Sequence, residues 1–359
     1  MDSGVVSFYD KEYHLLGIED DAQVVYTSKW NTYNSFEIYL KSMKDYVKTG
    51  NRIIWDNDGR KNGIITYIKY DDVEDTVTIR GYSLLYLLSQ RITVPDSGQA
   101  QQTYSGAIED VMYALVKKNA TDAGSLRSFP RMTCEESQGR GIKVAYNTRY
   151  DNLLDNLTDL SKYSMVGIGV RVVPADGKEI FEVRFGTDHS ISQTDNSQVV
   201  FRQEYDNITT ETYEINTENY KNTAYTAGQG EGVERAVYIV GDSNVGEDRN
   251  EVFVDARDIE DASELPTRGE TKLADYTTQE SFVVTANADE FGKRWDIGDK
   301  ITVISSTVGV QMDTYVTEVE ETLDSTGYSV EPTFGNKTKT IGDTTTNSNS
   351  SGSEISSKQ

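Results

Sequence analysis

Residues 295–335 read WDIGDKITVISSTVGVQMDTYVTEVEETLDSTGYSVEPTFG. A tight Asp296-Ile297-Gly298-Asp299 turn opens the stretch. Ile301 and Val303 then fall on alternate positions, the period of a strand with one buried face. Met312, Tyr315, Val316 and Val319 carry a second apolar run with strand-like spacing. Turn residues from Asp324 to Gly327 end it, and Tyr328 and Val330 begin a third. Three short antiparallel strands of a small sheet or barrel are expected here. None of these residues forms a catalytic motif.

The same pattern opens the chain. SGVVSFYD, Ala22–Thr27, SFEIYL (35–40), RIIW (52–55), NGIITYIKYD (62–71) and TVTIRGY (76–82) alternate as strands between turns rich in Asp, Asn and Gly. SLLYLLSQ (83–90) reads as a short apolar turn of helix. So many short strands expose many edges unless the sheet closes, so residues 1–94 are expected to form a small β-barrel. Residues 95–198 read differently. A polar linker with Pro95 and Gly98 leads to a helix capped by Ser105, with Ile108, Val111, Met112 and Leu115 at helical spacing and two lysines at its end. A second helix over 149–163 carries Leu153, Leu154, Leu157 and Leu160. A hairpin turning at Pro174–Gly177 follows. Residues 199–339 return to strands, with some helical character over 270–276, and are expected to form a second barrel. The last segment, 340–359, is almost free of apolar residues and is expected to be disordered. The fold class is thus mainly β, with two small barrels flanking a two-helix α+β region.

Composition narrows the function. There are 59 Asp and Glu against 35 Lys and Arg, a formal charge of −24. That opposes tight binding to the outside of a nucleic acid, though an acidic passage through which DNA slides is compatible with it. The 23 tyrosines outnumber 10 Phe and 3 Trp, and tyrosine suits half-buried strand faces and subunit contacts. With one cysteine, Cys134, there is no intrachain disulfide. No apolar run approaches the roughly 18 residues of a membrane helix, and the N-terminus lacks the pattern of a signal peptide.

Candidate chemistry is sparse. His14, His189 and Cys134 do not make a zinc-ligand pattern. The acidic loops at Asp56–Gly59 and Gly246–Glu251 lack EF-hand spacing and read as solvated turns. There is no Gly-x-Ser-x-Gly elbow, and GQGEG (228–232) lacks the lysine and helix of a phosphate loop. No cofactor, metal or catalytic residue is expected.

Three phrases carry a family resemblance: NTYNSFEIYL with RIIW and NGIITYIKY; RGYSLLYLLSQRI; and YDNLLDNLTDLSKYSMVGIGV. Together with the ending DIGDKITV…YVTEVEETLDSTGYSVEPTFG, they resemble the tail hub, or baseplate hub, proteins of tailed bacteriophages, and among them the siphovirus Gp37-like family. The resemblance covers about residues 3–335. It implies a structural virion protein of the distal tail, made in the host cytoplasm. Such a protein trimerises into a pseudo-sixfold ring between the tail tube protein and a fibre, spike or tip protein. The tape-measure protein and DNA pass through the channel without specific binding. Within that picture Ile64, Tyr67 and Tyr70, and Tyr213, Tyr220 and Tyr225, are the expected subunit-contact strands. A receptor- or carbohydrate-binding tip module is the competing expectation, and a cell-wall hydrolase the third.

Overall fold

The computed structural model describes residues 4–335, apart from positions 74, 242, 258, 260 and 261, together with the backbone of 354–357; the side chains of 264, 271, 274 and 354–357 are not described. Packing divides the chain into two units. Unit 1 comprises residues up to 212, 283–335 and the terminal strand, and unit 2 is centred on Tyr213–Phe282. The expected boundaries at 94/95 and 198/199 are not where packing divides the chain.

Unit 1 starts with β1 (Val6–Tyr9), β2 (Leu15–Glu19), β3 (Gln23–Lys29), β4 (Ser35–Leu40), β5 (Arg52–Trp55), β6 (Asn62–Asp71) and β7 (Thr76–Tyr82). An insert follows, with β8 (Gln102–Ala107), α1 (Ile108–Val116), β9 (Met132–Cys134), β10 (Lys143–Thr148), α2 (Leu153–Ser164), β11 (Gly167–Val173) and β12 (Lys178–Arg184). After β13 (Val200–Phe201) the chain leaves along β14 (Ile208–Asn216). Unit 2 contains β15 (Thr223–Ala227), β16 (Val237–Gly241), β17 (Glu251–Asp255) and α3 (Leu265–Leu273). The chain returns along β18 (Gln279–Ala286) into β19 (Lys300–Ser305), β20 (Val310–Asp324) and β21 (Gly327–Gly335), and β22 (Glu354–Ser357) is last.

The chain is mainly β, as expected. The three C-terminal strands form where their period places them, but they do not stand apart from the N-terminal ones. β20 is 15 residues long. Its first part pairs with β19, and its second part pairs with both β21 and β3. The sheet therefore runs β18-β21-β20-β3-β4-β7-β6-β5-β1-β2, and N- and C-terminal strands share one ladder. A strand this long outruns its hairpin partner, and its remaining backbone groups need a second one.

The inner face of this sheet carries Val24, Tyr26, Phe36, Ile38, Ile53, Trp55, Val77 and Ile79, all buried together. The insert has its own core. Ile108, Val111, Met112 and Leu115 of α1 meet Leu153, Leu154, Leu157 and Leu160 of α2, with Leu84 and Leu88 from the short helix after β7. α2 begins where Asn152 accepts the Leu154 and Asp155 N–H groups, an N-cap. The cap expected at Ser105 is corrected. Ser105 lies inside β8, which pairs antiparallel with β10, and α1 begins at Ile108 after Ala107. α3 begins at Leu265, earlier than the helical character expected from 270. Of the tail expected to be disordered, residues 340–353 and 358–359 lie outside the described residues, while 354–357 pair with β10.

Trp30 joins three segments of unit 1. Its N–H donates to the Thr317 carbonyl (3.0 Å) and its carbonyl accepts from Ile168 (3.0 Å). The indole N–H donates to the Met165 carbonyl at 3.2 Å. A Cβ at Gly167 or Gly298 would lie 2.6 or 2.3 Å from the ring. Both glycines are therefore required by close approach, and Gly298 also by its φ of +92°.

Candidate assembly interface

The outer face of the unit 1 sheet is built from the polar halves of the same alternating strands. Because side chains alternate, Glu318, Glu320 and Thr322 of β20 point away from the core that holds Val319. Glu320 lies opposite Glu331 on one side and Thr27 on the other. Two carboxylates directly opposite each other repel. Hydroxyls moderate this: Thr27 donates to Glu320 (3.3 Å) and Thr285 to Glu331 (3.2 Å). Further along, Glu37 accepts from Arg80 (2.8 Å) and from Tyr39 (2.6 Å). The Arg80 hydrogen bond is the chief reason its carboxyl is held below its ordinary value, although partial burial opposes this. The result is a hydroxyl-lined, carboxylate-rich face.

The expected contact residues divide. Ile64 is half-buried against the insert core, so packing within the chain already uses it. Tyr67 and Tyr70 are 44% and 51% exposed. The Arg80 guanidinium lies 5.4 Å from the Tyr67 ring centre. A bulge between Ile65 and Tyr67 puts Tyr67 opposite Arg80 and Tyr70 opposite Val77. The two tyrosines therefore do not form one stripe.

Tyr213, Tyr220 and Tyr225 belong to unit 2. Tyr213 donates to Glu280 (2.7 Å) and stacks on Phe282 (4.7 Å). The Tyr220 N–H closes a turn on Thr217. Tyr225 sits at the centre of the β16-β15-β17 sheet, with Ile239 and Phe253 as its cross-strand partners. The opposite face of this sheet is covered by α3, where Gly269 lies against Thr226 and Val240. On the Tyr225 face, Ile239 and Phe253 are 58% and 60% exposed, and Val237 is exposed beside them. Arg235 pairs with Asp255 (2.5 Å) and Arg249 with Glu251 (2.6 Å) at its rim. An apolar row with a charged rim has the anatomy of a protein contact. Sequence reading picked out Tyr225 but not Ile239 or Phe253. The signal was available in the alternation of AVYIVG and EVFVD, whose apolar residues occupy both faces.

Chemical sites are poorly furnished. Among the described residues no group of three or more His, Cys, Asp and Glu is placed to hold a metal ion. His14 pairs with Asp10 (2.8 Å) on the surface. His189 lines a cleft of about 200 Å³ with Trp295 and Asp299, and its Nδ1 lies 2.7 Å from the Ser197 carbonyl. In the Asp56–Gly59 turn, the Asp58 carboxylate accepts the Arg60 N–H (2.8 Å). Among the described residues no helix is long and apolar enough to cross a membrane.

Three solved structures share the fold. The 43 kDa tail protein of prophage MuSo2 from Shewanella oneidensis aligns with a TM-score of 0.59 at 13% identity, covering 92% of this chain and 98% of that one. The tail protein of Neisseria meningitidis MC58 gives 0.57 at 15% identity, covering 93% and 97%. Prophage tail protein gp18 of Listeria monocytogenes EGD-e gives 0.54 at 13% identity, covering 94% and 96%. No curated protein matches the sequence. The profile of the siphovirus ReqiPepy6 Gp37-like proteins matches residues 5–336. The chain belongs to the siphovirus ReqiPepy6 Gp37-like protein family.

Proposed function

We propose that this chain is a structural protein of a phage or prophage tail, and within it a hub subunit. Three copies form a ring at the distal end of the tail tube, join the tube protein to the tip, and line the channel for DNA and the tape-measure protein. The family match over residues 5–336 carries this reading. The shared fold with prophage tail proteins supports it.

The mechanism is geometric and electrostatic. A channel wall must pass a phosphate polymer without holding it. On the outer face Glu318 is paired with Lys29 and Glu37 with Arg80, so this role falls to Glu320 and Glu331, which accept threonine hydroxyls. Their field repels phosphate at short range and is screened beyond roughly 8–10 Å at physiological salt. A lysine-rich wall would instead bind DNA and stall it. The exposed apolar row at Tyr225, Ile239 and Phe253, and the exposed Tyr67 and Tyr70, are the contact surfaces this role needs.

Size-exclusion chromatography with light scattering, on the chain mixed with its tail tube protein, tests the reading. A complex with three copies of this chain is expected. A monomer that ignores the tube protein and clears peptidoglycan or binds glycan would overturn it.

A further inference from the structure

β10 has strands on both sides. β8 covers one edge. On the other, the terminal segment adds antiparallel, with Glu354 opposite Asn147, Ile355 opposite Tyr146, Ser356 opposite Ala145 and Ser357 opposite Val144. Without it β10 would be a bare edge, with backbone donors and acceptors free to take another strand. This added strand is short, four residues. It is reached through residues 336–353, in which Ile341 is the one apolar residue. A connection of that length spans up to about 60 Å when extended. A strand joined covalently to its acceptor within such a span competes at an effective concentration on the order of millimolar. A neighbouring copy's identical segment, brought within the same reach, competes on equal terms, because the ladder carries no mark of which copy supplied the strand.

We infer that the edge of β10 opposite β8 is a strand-acceptor site for the C-terminal segment, and that copies of this chain held together exchange that segment. In a lone chain Glu354–Ser357 closes the edge in cis. In an assembly it pairs with β10 of a neighbour, tying the copies through backbone hydrogen bonds rather than side-chain packing. The inference needs only two copies of the chain and stands whether or not they form a tail hub.

Two single-cysteine additions test it. Ala145→Cys and Ser356→Cys occupy opposed positions. Opposed residues in an antiparallel ladder have Cα atoms about 4.5–5.5 Å apart, within reach of a disulfide. Both variants are made with Cys134→Ser, so that the native free thiol takes no part. When the two variants are mixed and oxidised, a disulfide joining one to the other forms only in trans. The expected result is a cross-linked pair of chains whose yield rises with concentration towards about millimolar, and at lower concentration where other contacts hold the copies together. A mixture of Thr66→Cys, on β6 of the other sheet, with Ser356→Cys serves as the control away from the acceptor edge and is expected to give none. The double variant A145C/S356C is expected to close in cis when dilute. Cis closure with no trans product up to millimolar chain would overturn the exchange, and absence of both products would overturn the pairing. Hydrogen exchange on the chain without cysteine additions gives a second readout. Truncation after residue 339 is expected to remove protection from the amides of Lys143–Thr148 that face the added strand, and a peptide of residues 350–359 to restore it. Protection unchanged by truncation would overturn the acceptor site.

Discussion

Unit 1 pairs the charges it buries, whereas unit 2 leaves apolar surface bare. In unit 1, Glu182 sits among Arg60 (2.7 Å), Arg171 (3.4 Å) and Arg184 (3.9 Å). Glu109 takes two hydrogen bonds from the Arg140 guanidinium and the backbone N–H groups of Gln138 and Arg140. Glu179 accepts the Tyr13 hydroxyl beside Arg52. These contacts reach between the N-terminal strands and the insert, or within the insert. They fix orientation, because removing one partner strands the other, at a cost of about 3–5 kcal/mol where both are buried and less where Arg60 or Arg140 is left, since these stay partly exposed. In unit 2, α3 covers one face of a three-stranded sheet and the other face shows Ile239 and Phe253. Unit 1 exposes apolar side chains too, Leu15 and Ile18 of its edge strand β2 among them, but its segments are tied together by these buried pairs. Unit 2 instead presents an exposed apolar row with a charged rim, the candidate contact surface.

The largest blow to that contrast would come from Trp30. Trp30→Ala removes the ring that fills the space between Gly167 and Gly298. A loss of about 4 kcal/mol is expected in denaturant unfolding, with hydrogen exchange placing it in unit 1. A loss below about 1 kcal/mol would show that the three segments are held elsewhere.

Next in size is Glu182→Gln, with an expected cost of up to about 3 kcal/mol at neutral pH, since Arg60 stays partly exposed. Burial would raise the Glu182 carboxyl, but hydrogen bonds from Arg60 and the charges of Arg60, Arg184 and Arg171 hold it below its ordinary value. Its folded-state value is thus depressed. Its stabilisation is fully present above the unfolded-state value of about 4.3 and is lost as pH falls through the lower folded value. Thermal melts from pH 7 downward are expected to fall more steeply below about pH 4 for the natural chain than for the Gln variant. Parallel profiles would contradict the pairing.

The comparison also explains what sequence reading reached. Alternation made the strands at 35–40, 76–82 and 300–335 legible, and the Pro174–Gly177 turn made the hairpin legible. The helix cap at Ser105 misled, because a polar strand such as QTYSGA is held by pairing with β10 and not by its own pattern. The shared ladder between β3 and β20 was hidden too, since a strand's length does not name its second partner. Trp30 lay in a polar stretch, SKWNTY, and its role depends on glycines more than a hundred residues away in sequence. The candidate contact site was half legible: tyrosines signal interfaces, but Ile64 is half-buried against the insert core, and the exposed row at Ile239 and Phe253 needed the sheet to be seen.

Smaller effects on stability should separate unit 2 further. Ile239→Ser with Phe253→Ser is expected to change unfolding free energy by no more than about 0.5 kcal/mol per site, since both side chains are exposed. The same variant is expected to lose self-association or tube-protein capture in light scattering. Full retention would make the apolar row an ordinary surface. Smallest is Glu331→Gln, which relieves the cross-strand repulsion with Glu320. A gain of about 0.2 kcal/mol is expected in denaturant unfolding, the low end for a cross-strand pair, because threonine hydroxyls already moderate the repulsion. A loss would mean that the two carboxylates are not in conflict.

A cryo-electron microscopy reconstruction of the assembled tail tests the central claim most directly. The expected density shows three copies of this chain around the tail axis, with Glu318, Glu320 and Glu331 facing the conduit. Copies standing singly on the periphery, away from the conduit, would contradict it.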